Sequence, residues 1–165
     1  MNYILKRGDC LNLINTKEVE YGSQYNEHIL EQWKICTEMA NCNSERRINS
    51  NNIYIAINAA IIAFTTFSLD YKSIIMSIVG IIVSILWWNT IKSYKELNKV
   101  KYKIINEIEK MLPLSPFEYE WKIINEEGKY KRFTHLETFL PWIFIVLYSL
   151  CIFTQFIYFV CSFKN

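Results

Sequence analysis

Glycine and proline are scarce in this 165-residue chain, with four and three residues respectively. That scarcity argues against a turn-rich sheet architecture and favours long helices. Cysteine is present five times (Cys10, Cys36, Cys42, Cys151, Cys161) but never in a CxxC spacing. Cys36 and Cys42 fall on different faces of a helix and suit no metal site, so free thiols in a reducing compartment are expected. The only two histidines, His28 and His135, are far apart in sequence. Nucleophile motifs, phosphate-binding loops and paired-carboxylate signatures are missing as well. The sequence therefore predicts no enzyme, no catalytic residue, no cofactor and no bound metal. No signal peptide is expected either, because the first apolar run begins about fifty residues in.

What is present is apolar length. The runs Ile53–Leu69, Ile74–Ile91 and Phe139–Phe163 span 17, 18 and 25 residues, about what a helix needs to cross a hydrocarbon layer of ~30 Å. Between the first two, only Asp70 and Lys72 are charged, which reads as a hairpin with a very short turn. An all-α integral membrane protein with three transmembrane helices follows, the second extended into the cytosol and followed by a short cytosolic helix. About 100 residues remain outside the spans, too few for a large catalytic domain. Basic residues flank the runs: Arg46 and Arg47 precede the first, Lys92, Lys95, Lys99, Lys101 and Lys103 follow the second, and Lys129, Lys131 and Arg132 precede the third. The positive-inside rule places the N-terminus in the cytosol, in a multi-pass membrane protein. The segments are then a cytosolic arm and amphipathic helix over 1–49, a transmembrane hairpin over 50–91, a cytosolic helical layer over 92–138 and a third span over 139–165.

Periodicity fills in the helices. Tyr25, Ile29, Trp33, Cys36 and Ala40 recur at three-to-four spacing, opposite Glu27, Glu31, Lys34 and Glu38, predicting one long helix from about Ser23 into the first run, with Asn41–Asn43 as a place to kink. The second run continues through Tyr94, Leu97, Val100, Ile104, Ile108 and Met111 to Pro113, a helix of about 60 Å. Its protruding half needs cover for an apolar stripe, and self-association would supply it. Ser115-Pro116-Phe117-Glu118 reads as a capping box opening a short helix to about Asn125 that buries Phe117, Trp121 and Ile124. Thr134-His135-Leu136-Glu137 reads as another for the last helix. A start at Thr138 stays open because of Pro141.

The stretch Trp88, Ser93-Tyr94, Leu97-Asn98, Lys101, Ile105, Glu107, Glu109, Leu112-Pro113, Pro116-Phe117 and Glu120-Trp121, with Arg46-Arg47, Asn51 and Pro141, resembles the RipA family of small bacterial membrane proteins. The resemblance covers about residues 44–148, and its LPxxPFxxEW block is the most specific part. It implies a membrane oligomer of about eight copies. The plan is also similar to SLATT-like membrane effectors of nucleotide-signalling anti-phage defence, Hailong-type channel subunits among them. That likeness implies a pore gated by a nucleotide-derived ligand from a partner nucleotidyltransferase.

Three sets of residues are candidates for function. Ser44, Asn51, Asn58 and Thr65 are seven apart and share one helix face. Around a symmetry axis Asn51, Asn58 and Thr65 would line a pore, while within a hairpin the same side chains would make interhelical hydrogen bonds. Ser73, Ser77, Gly80 and Ser84 form a small stripe that suits close helix packing. Lys95, Lys99 and Lys103, with Tyr130, Lys131 and Arg132, combine cations and rings fit for a nucleotide or a short single-stranded oligonucleotide, although anchoring at anionic lipid explains them too. Arg46 and Arg47 are candidates to pair with Glu107 or Glu109 as a latch. Leu97, Ile104 and Trp121 complete the expected contacts of a closed homo-oligomer of roughly four to eight copies. A non-conducting membrane scaffold is the other function these features permit.

Overall fold

The computed structural model describes residues 13–66, 71–127 and 133–162. Over these residues the chain forms a single turn α1 (Glu18–Tyr21), then α2 (Tyr25–Thr66), α3 (Tyr71–Glu109), α4 (Pro116–Glu127) and α5 (Phe133–Ser162), with no strand among them. α2 is unbroken over 42 residues and passes straight through Asn41–Asn43. It lies antiparallel to the 39-residue α3, and α5 packs on α3 with only light contact to α2.

Both long helices meet along a heptad-like seam. Ser73, Ser77, Gly80, Ser84, Trp87, Ile91, Ile105, Ile108 and Glu109 are the buried positions of α3, and from Ser73 to Ile91 they alternate in steps of three and four, as two helices require when their side chains interlock. The facing row of α2 includes Ile29, Ala40, Asn43, Asn51, Asn58, Ile61 and Thr65. Toward the hairpin turn the seam is small and polar while Ile53, Ile57, Phe64, Ile75, Ile78 and Ile82 point outward. Toward the other end Ile29, Ile105 and Ile108 lie inside with Asn43 and Glu109, and the outside adds Glu31, Lys34, Lys99 and Lys103 to exposed apolar residues such as Ile35 and Leu97. Such a change matches a hairpin that leaves hydrocarbon for water partway along. α3 and residues Glu137–Cys161 of α5 are each long and apolar enough to cross a bilayer. Over its described residues, which end at Thr66, α2 does not reach that measure.

Several expectations change. Within the protomer α2 covers one face of the protruding half of α3, burying Ile91, Ile105 and Ile108, while Leu97 is exposed and Ile104 half-buried. Phe117 packs between Trp33 and Tyr102, with ring centroids 6.0 and 5.9 Å away, but Trp121 is exposed. α5 begins at Phe133, one residue ahead of the expected Thr134 cap, and takes Pro141 inside it. The ring of Tyr148 lies flat on Gly80, where an added Cβ would overlap it. Gly80→Ala is therefore expected to push α5 off α3. It should lower the unfolding midpoint in detergent by several degrees, despite alanine's better helix propensity. An unchanged midpoint would mean the ring has room to move.

Candidate functional site

The seam carries the chain's concentrated polar chemistry, arranged in four levels. At the first, Asn43 Nδ2 donates to Asn98 Oδ1 and Asn98 Nδ2 donates to Ser44 Oγ at 3.1 Å. At the second, Trp87 Nε1 donates to Asn51 Oδ1 at 2.9 Å. Tyr54 stacks on the same indole at 5.9 Å, and its hydroxyl meets Thr90 Oγ1 at 3.2 Å.

The third level is the tightest junction. Asn58 Nδ2 donates to the Tyr54 carbonyl one turn back, at 2.8 Å. Its Oδ1 accepts from Ser84 Oγ at 2.9 Å and from the Tyr148 hydroxyl at 3.1 Å, which is shared with the Asn58 carbonyl at 3.0 Å. One amide thus binds α2 to both other long helices, and Asn58, Ser84 and Tyr148 are all fully buried. At the fourth level Ser73 Oγ donates to the Thr65 carbonyl at 2.9 Å and accepts from Gln155 Nε2 at 2.6 Å. Gln155 Oε1 is buried without a hydrogen-bond partner.

Asn51, Asn58 and Thr65 thus share one face, as their spacing predicts, and that face is turned into the protomer. The small stripe of α3 lies directly across from it. Tyr148 and Gln155 complete the seam from α5. Tyr148 gave no signal in the sequence among eleven tyrosines.

Charged candidates are distributed differently from expectation. Arg47 pairs with Glu137 at the start of α5, Nε to Oε2 at 3.5 Å, and neither atom completes a hydrogen bond. Glu107 pairs instead with Lys110 at 2.8 Å on the exposed surface, which raises the lysine above its ordinary pKa through that hydrogen bond and its charge. Glu109 is fully buried and accepts from the backbone amides of Phe117 and Glu118, each at 3.3 Å. Its carboxylate, rather than Ser115, satisfies the N-terminus of α4, where a negative charge is favoured. Arg46 is exposed. Within one protomer Arg47 thus pairs with Glu137 rather than with Glu107 or Glu109.

Lys95, Lys99 and Lys103 are exposed along one face of α3, and Lys92 sits 3.9 Å above the Trp88 ring, itself edge-on to Trp142 at 6.0 Å. Tyr130, Lys131 and Arg132 lie outside the described residues. No cluster of metal-ligating side chains occurs among the described residues.

An apolar exterior around a hydrogen-bonded polar interior defines a helical membrane protein. A family model for the octameric membrane protein family (8xMP) matches residues 30–158, and the chain belongs to that family. The matched region holds all four levels of the seam, the Glu109 cap and most of α5. No curated protein and no solved structure matches the chain.

Asn58→Leu leaves Ser84 and Tyr148 without their shared acceptor. It is expected to cost about 1–2 kcal/mol of helix association, seen as a lower unfolding midpoint in detergent. Glu109→Ala should expose the α3–α4 connection to protease, with new cleavage between residues 110 and 118. A digestion pattern like that of the unaltered chain would show that Ser115 suffices as the cap.

Proposed function

We propose that this chain is the protomer of a ring-shaped membrane pore, a non-enzymatic effector of bacterial anti-phage defence that depolarises the infected cell. In this reading three helices span the inner membrane, the N-terminus is cytosolic, and a nucleotide-derived ligand from a partner nucleotidyltransferase controls the gate. The carrying observation is the seam: amides and hydroxyls recur at four levels between the long helices, the last two among otherwise apolar side chains, in a chain that belongs to a family described as octameric. Polar side chains at such depth are costly and mark ion paths or tight packing. Here they are engaged within the protomer, so conduction requires α2 to turn and carry Asn51, Asn58 and Thr65 toward the axis. The ligand acts by preferring one of the two arrangements. The exposed Lys95, Lys99 and Lys103 face is the surface offered to its phosphates, with Tyr130, Lys131 and Arg132 nearby in sequence.

A non-conducting oligomeric scaffold serving the envelope or stress responses through protein partners is the second reading. It is favoured by one observation: Asn58 is already satisfied on both its amide nitrogen and its oxygen inside one protomer.

Ion flux through the assembled protein in liposomes separates the two. Flux that short oligonucleotides or cyclic nucleotides switch on or off establishes the gated pore. Lys99→Glu should then weaken nucleotide binding about tenfold or more. Silence from assembled protein under every condition establishes the scaffold.

A further inference from the structure

α2 carries a second stripe opposite the seam. Asn52, Ala56, Ala59, Ala60 and Ala63 are all exposed. At 100° per residue they centre on the side of the helix facing away from Asn51, Asn58 and Thr65. The pairs Ala56–Ala60 and Ala59–Ala63 are each four apart, the spacing that lets two helix backbones approach closely in a membrane. The other outward faces at this depth are built differently. α3 presents Ile75, Ile78, Ile82 and Leu86, and α5 presents Phe153, Phe156 and Phe159, the large side chains that suit acyl chains. Four alanines add little contact with lipid, so their exposure in one protomer leaves a flat strip suited to another helix.

Family membership supplies the occupant, because copies of this chain must meet one another in an octamer. A closed ring needs two different patches, one from each neighbour. A flat alanine strip and a face of bulky side chains are complementary in that sense, whereas two alanine strips together would pair copies two by two. We propose that the Ala56–Ala63 face of α2 is the surface on which a bulky apolar face of the next copy seats. This interface belongs to the arrangement in which Asn51, Asn58 and Thr65 are engaged inside the protomer. Glu45 and Asn49 extend the same face toward the charged end of the helix and are exposed as well, so the contact continues there in polar form.

Two measurements on the full-length chain test this. In native mass spectrometry from detergent, Ala56→Leu/Ala60→Leu is expected to abolish the octamer while Ala60→Gly keeps it. Persistence of the octamer in the double leucine variant overturns the proposal, whatever its conductance. The second measurement covers a double variant that fails to fold. Ala60→Cys, in a background whose five native cysteines are replaced, is labelled with a membrane-permeant maleimide. Labelling at least tenfold slower in the assembled protein than in dissociated protomers supports the interface. Equal rates overturn it, as they would for a residue facing lipid or an open lumen.

Discussion

Within hydrocarbon a polar side chain has no water to fall back on, so each must find its partner inside the protein. Much of this chain's architecture follows from that constraint. Asn58 is the sharpest instance, since its amide donates within α2 and accepts from both α3 and α5. Gly80 has no side chain because the Tyr148 ring must cross it to reach that amide. Ser84 and Ser73 are small for the same reason, letting the helices approach closely enough for a hydroxyl to bridge them. Individually such bonds contribute about 0.6–2 kcal/mol. Their value here is as much positional: they fix which residues of α2, α3 and α5 stand level with one another.

The change of polarity along the α2–α3 pair answers to the same rule read from the other side. Where the surroundings are apolar, the interior holds the polar groups. Where they are aqueous, isoleucines move inside and charges outside. Between the two ends lies Trp87, a buried indole bonded to Asn51 and stacked on Tyr54. Beyond it the pairing is that of an ordinary antiparallel coiled coil. Glu109 then turns the chain by anchoring the amides at the start of α4.

The long helices were legible from the sequence, because apolar run length and three-to-four periodicity report directly on them. The seam was half legible. Spacing by seven placed Ser44, Asn51, Asn58 and Thr65 on one face, but a stripe has no direction until its neighbours are known. Periodicity alone also leaves open which face of α3 its own hairpin partner covers: Leu97 and Ile104 satisfy a helical repeat as well as Ile105 and Ile108 do, and only the position of α2 decides between them. The capping residue of α4 lay hidden for a different reason. Ser115 satisfies the local rule, yet Glu109 is a stronger acceptor brought in by a turn that local rules do not describe. Arg47–Glu137 joins residues ninety apart in sequence, beyond any spacing argument.

The locality of the hydrogen bonds has a consequence for how the chain comes to be made. Tyr148 is synthesised ninety residues after Asn58, so the junction between them cannot exist while α2 is first emerging. Until then the Asn58 amide rests on the Tyr54 carbonyl of its own helix, Ser77 rests on Ser73 and Ser84 on Gly80. Asn58, Ser77 and Ser84 thus each have an acceptor within their own helix before the others are in place. The acceptor face of Asn58 is what remains for Ser84 and finally Tyr148 to fill, which makes the arrival of the last helix the step that completes the protomer.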